Sequence, residues 1–226
     1  MQAVNPADSQ VSSGTVRRTV CLVTAIYLAW IGAWLLKLSL DRHSPGIATP
    51  GGAFAYWTAT KFLLWIVPSS ILIHRTGRRI REIFGIERLR PALVWGGSIG
   101  LALGAMSLVL KAVLHKPLLS ATPGWPLINA IVVAPLFEEF MFRGAVLGAL
   151  LQRYRFAVAN LLTATLFLGM HLPGWYFQGR LLRNVTAPVG GAVYIFLAGA
   201  VFGFVAHRSR SVIAGILAHA FNNFFA

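Results

Sequence analysis

Long apolar runs recur along this chain, and that property constrains its fold more than any other. Backbone N–H and C=O groups cannot go unpaired in lipid, so an apolar segment of about 18 or more residues spans as a helix. The runs fall near residues 20–40, 53–74, 92–114, 127–150, 156–171, 188–206 and from 211 onward. Hydrophobic residues make up 57% of the 226 and charged residues 12%, about half the charged share of a soluble domain. The sequence predicts an all-α, polytopic membrane helix bundle of about seven transmembrane helices, with no sizeable soluble domain.

The net charge of +14 would suit a nucleic-acid partner if the basic residues formed one face. Instead they cluster in short loops beside apolar runs, the pattern of inside loops, so nucleic acid is not expected as a partner. One side of a seven-span chain collects Arg17, Arg18, six arginines of the loop 75–91, Arg153, Arg155, Arg208 and Arg210. The other side has Arg42, Lys116, Arg180 and Arg183, a ratio of twelve to four. This predicts a multi-pass protein of the cell membrane, N-terminus cytoplasmic and C-terminus outside. Arg17-Arg18 before an apolar run also resembles an export signal. The run is too long for a cleaved signal and no small-x-small site closes it, so it reads as a retained span, with Lys37 snorkelling near its far end. The single cysteine, Cys21, permits no intramolecular disulfide.

The chain divides into a disordered N-terminal tail (1–16), N-terminal transmembrane helices with a basic cytoplasmic loop at 75–91 (17–119), and a C-terminal core (120–226). Within the basic loop Ile80, Ile83 and Phe84 share a helical face. Two readings stand open there, an interfacial helix lying on anionic lipid or a solvated loop that only sets topology. Gly96-Gly97-Ser98-Ile99-Gly100 matches the Gly-x-Ser-x-Gly pattern of serine hydrolases. That motif needs a strand-to-helix turn, whereas Gly96, Gly100 and Gly104 here form a small-residue stripe in a helical run, which predicts close helix packing. Pro135 is expected to kink the fourth span, and Pro173-Gly174 to end the fifth near His171.

Of six acidic residues in the chain, two are adjacent inside an apolar run, in Ala134-Pro-Leu-Phe-Glu138-Glu139-Phe-Met-Phe-Arg143-Gly144. Charged groups at membrane depth are costly and mark function by default. Glu139 and Arg143 lie one helical turn apart and can pair, whereas Glu138, about 100° round the helix, has no local partner. His171 and His219 are the two histidines within apolar runs, and His219 and Asn223 share a face at i, i+4. Counting helical rise puts Glu138 and His219 about 17–18 Å from the outer side and His171 about 8 Å from it, a turn or two higher. A desolvated glutamate acting as base, with histidines to hold water and an amide to donate to an oxyanion, suits amide hydrolysis. A structural polar network and a proton relay or ion path are the alternatives. No His-Glu-x-x-His occurs, which disfavours a purely metal site.

These residues resemble the CAAX-prenyl-endopeptidase-like, bacteriocin-processing family of glutamic-type intramembrane proteases. Glu138, Glu139 and Arg143 match its Glu-Glu-x-x-x-Arg motif, Phe167 and His171 its Phe-x-x-x-His, and His219 and Asn223 its His-x-x-x-Asn. The resemblance covers about residues 120–226. It implies that Glu138 activates water with His171, that His219 and Asn223 stabilise the oxyanion, and that Glu139 and Arg143 brace the site. It further implies an endopeptidase acting on a membrane-associated or membrane-delivered protein or peptide, with no cofactor. A metal-free glutamate mechanism is favoured, zinc being the alternative. Two other functions stay open, a non-catalytic immunity or scaffold protein of the same fold and a small proton-coupled transporter. Which substrate is cleaved, the oligomeric state and the role of Asn222 are not legible.

Overall fold

In the computed structural model residues 6–118 and 123–225 are described, and every element among them is a helix. Seven helical stretches carry the architecture. They are α1 (Pro6–His43), α2 (Pro50–Arg75), α3 (Leu89–Val113), α4 (residues 125–150), α5 (Phe156–Phe177), α6 (Ala192–Ser209) and α7 (Val212–Phe225). Five stretches are long and apolar enough to cross a membrane, namely Gly14–His43, α2, Ile80–Val113, α5 and α6. The chain is therefore a polytopic membrane protein. Two helices lie outside that set: α4, which carries the charged residues, and α7, whose 14 residues reach only about 21 Å.

Several boundaries differ from expectation. Residues 6–16, expected to be loose, continue α1 toward the N-terminus, with Pro6 as the first helical residue, where its fixed φ and missing N–H cost nothing. Residues 1–5 of that tail lie outside the described residues. Lys37 does not snorkel: it is buried and paired with Asp41 one turn on. The fifth span does not stop near His171 but runs through Pro173 to Phe177, and membrane helices tolerate such a proline when neighbours re-satisfy the freed carbonyl. His171 therefore sits deeper than its place at the end of a run implied.

The basic loop is neither a free interfacial helix nor simply solvated. Ile80–Phe84 forms one short helix ended by Gly85 at φ 54°, a left-handed turn that glycine adopts without strain. Ile83 buries itself among Leu72, Ile73, Phe140 and Val212, and Ser211 Oγ donates to Phe84 O.

The glycine stripe is a packing face. A Cβ at Gly96 would meet the backbone of Ala214, one at Gly100 would meet Ala218 and Phe221, and one at Gly104 would meet the ring of Phe225. Backbone contact along α3 thus holds α7 in place. At the opposite flank Trp30 and Trp34 of α1 interlock with Trp57 and Trp65 of α2, centroids 4.4–6.3 Å apart, and this cluster fixes α2 against α4 and α5.

Candidate active site

Prolines shape the helices that carry the site. Val67 N–H donates to Phe62 O and Ala134 N–H to Asn129 O, five residues back in each case. Each wide turn comes directly before a proline, Pro68 or Pro135, which has no N–H to give. In that register the next donor would be Pro135, so Ala130 O loses its helical partner. Asn223 Nδ2 of α7 fills the place, donating to Ala130 O at 2.9 Å.

The two glutamates separate as their spacing predicts. Glu139 is fully buried and accepts from Arg143 Nη1 at 2.9 Å. Arg143 Nη2 donates to Gly199 O at 2.5 Å, and the rings of Phe167 and Phe202 lie 4.6 and 5.6 Å from its guanidinium carbon. Gly215 makes room for Glu139, since a Cβ there would lie 2.7 Å from Oε2. Gly215→Ala is expected to cost about 1–3 kcal/mol through overpacking, read as a lower thermal midpoint in detergent; an unchanged midpoint would show that Glu139 moves aside freely.

Glu138 faces a cavity instead. Lys61 Nζ of α2 stands 3.4 Å from its Oε1, and His219 Nε2 lies 3.9 Å from its Oε2. The His219 ring bridges both carboxylates, because its Nδ1 meets Glu139 Oε1 at 2.9 Å. It stacks on Phe202 at 4.7 Å with 16° between planes. His171 gives Nδ1–H to Phe167 O at 2.9 Å, which leaves Nε2 as the acceptor. A cavity of about 300 Å³ is lined by Lys61, Glu138, His171, His219 and Asn223. A second, of about 180 Å³, lies between Glu138, His171 and the indoles of Trp30, Trp34 and Trp65, whose N–H groups have no hydrogen-bond partner. Either holds several waters. Two carboxylates and two cations cancel here, so no net charge is buried when both histidines are neutral.

All six expected site residues thus come together, four lining the larger cavity with Glu139 and Arg143 directly behind them. Residues 120–225 match the Rce1-like family, described as type II CAAX prenyl endopeptidase Rce1-like. Over that stretch, a little under half of its length, the chain resembles that family. No curated protein and no solved structure matches it. The family is one of proteases, so the match supports a peptidase for the Rce1-like region.

Lys61 lies outside that region and sequence reasoning missed it. Its signal was present: a lone lysine amid the apolar residues of the second span carries the same cost that drew attention to Glu138. Lys61→Met is expected to lower kcat/KM roughly tenfold or more, because the one cation facing Glu138 among the described residues is lost. A variant cleaving at the wild-type rate would reduce Lys61 to a packing role.

Asn222, whose role the sequence left open, accepts from Tyr194 OH, and Ser107 Oγ lies 2.7 Å from the same phenol oxygen. Since Tyr194 gives its proton to Asn222, Ser107 must be the donor to Tyr194. Asn222 Nδ2 then reaches Asn223 Oδ1 at 3.4 Å, so a polar chain from α3 through α6 holds Asn223 in place. Among the described residues no three His, Cys, Asp or Glu side chains are grouped to hold a metal ion.

Proposed function

We propose that the chain is an intramembrane endopeptidase in which Glu138 activates the attacking water. The observation that carries this reading is the division of labour between adjacent glutamates. Glu139 is committed to Arg143 and His219, while Glu138 faces a cavity beside two imidazoles. Water held between Glu138 and His171 Nε2 gives a proton to Glu138 as its oxygen bonds to the substrate carbonyl carbon. Negative charge then builds on the carbonyl oxygen. Asn223, whose Nδ2 carries a second N–H beyond the one given to Ala130, is a donor for it, with His219 beside it on the same cavity. Collapse breaks the C–N bond, and the proton on Glu138 passes to the leaving amine. The substrate is a membrane-associated or membrane-delivered protein or peptide, and the basic end of the bundle faces the cytoplasm.

The test is to place the full chain and Glu138→Gln in lipid vesicles with a membrane-protein extract and to sequence new peptide N-termini. Cleavage products unique to the wild type are expected, and identical products from both proteins would end the reading. In the same vesicles an excess of chelator is expected to leave the rate within about twofold, as no step is assigned to a metal. A loss restored by added zinc would instead assign the water to a metal ion.

A further inference from the structure

We propose that a cavity at the basic end of the bundle, away from Glu138, binds the phosphate oxyanion of an anionic lipid headgroup. The cavity measures about 450 Å³, and Arg78, Arg143, His207, Arg208 and Arg210 line it, with Glu82 as the one acidic side chain in its wall. A loop that only fixes topology would leave its guanidiniums in water. Arg78 instead lies across Gly148, where any Cβ would collide with the guanidinium, and its Nη2 donates to Gly144 O at 2.6 Å. Its Nη1 is buried with no hydrogen-bond partner. The Arg143 side chain is fully buried and engaged with Glu139 and Gly199, so it is not a donor to the cavity. Burial pushes the Arg78 guanidinium below its ordinary value, with Glu82 opposing the shift. Glu82 is already engaged, since its Oε2 accepts from Arg79 N–H.

A buried, unpaired guanidinium donor beside a cavity that Arg208 and Arg210 also line is expensive unless an anion accepts from it. Phosphate oxygens match guanidinium geometry, and the charge-assisted bonds are strong. A lipid is the favoured source because Ile80 and Ile86 are exposed on the same loop, and inside leaflets are anionic. The site does not depend on the protease reading, since its readout is binding.

The experiment follows thermal unfolding of the full chain in neutral detergent by tryptophan fluorescence. Dihexanoyl phosphatidylglycerol, dihexanoyl phosphatidylcholine and inorganic phosphate are titrated separately. The phosphatidylglycerol is expected to raise the midpoint saturably by about 2–4 °C, while the phosphatidylcholine produces no saturable shift and phosphate a weaker one. Arg78→Gln and Gly148→Ala, the second of which displaces Arg78 without changing charge, are each expected to raise the half-saturating concentration about tenfold or more. Arg153→Gln, outside the cavity on the same side, should leave it within about twofold. Should Arg78→Gln fail to fold, Arg210→Gln reads the same site from an exposed position. No saturable response to either anion overturns the proposal, as does equal weakening by Arg153→Gln. An equal response to inorganic phosphate keeps the oxyanion site and overturns the lipid as its source.

Discussion

Glu138→Gln is expected to lower turnover about a thousandfold while leaving the fold intact. General base catalysis by a positioned group contributes roughly 10²–10⁴-fold, and glutamine cannot accept the proton from water. The substitution is close to isosteric, and its amide oxygen can still accept from Lys61, which stands 3.4 Å from Glu138 Oε1. Stability therefore serves as the control, with a thermal midpoint expected within a few degrees of wild type. Single-turnover cleavage of a product-yielding peptide in detergent gives the rate. Wild-type turnover in a folded Glu138→Gln protein would remove the carboxylate from the chemistry.

Arg143→Met should produce the largest loss of stability in the molecule. Arg143 pairs with Glu139, donates to Gly199 O and is faced by the rings of Phe167 and Phe202. Both partners' side chains are fully buried. Removing one member of a buried pair strands the other charge and costs about 3–5 kcal/mol, or roughly 6–20 °C in midpoint for a chain of this size. Adding Glu139→Gln to Arg143→Met should recover part of that loss, because the stranded charge disappears. A double variant no better than the single would show that packing on the aromatic rings, and not charge, makes Arg143 necessary.

Local periodicity was the part of this structure open to reading in advance. The i, i+4 spacing placed Glu139 on Arg143 and left Glu138 turned elsewhere, and the four-residue glycine repeat marked the face of α3 that α7 packs against. Depth was read less well. Pro173 looked like a helix end, yet α5 continues through it, so counting rise misplaced His171 relative to Glu138. Pairings between distant parts of the chain left no periodic trace. Lys61 meets Glu138 across 77 residues of sequence, and Asn223 reaches Ala130 because a proline five residues further on cannot. The basic loop was legible only in part, because its arginines said nothing of Ile83, which carries the loop into the core.

The stretch that matches a known family cannot be lifted out as a working module. Its residues 120–225 contain His219 and Asn223, but α7 gains its placement by lying along Gly96, Gly100 and Gly104 of an earlier helix. The ammonium opposite Glu138 also comes from that earlier half. A transplant of the matched stretch into another membrane scaffold would carry the glutamates and histidines yet leave behind both the rail that aligns them and their counter-charge.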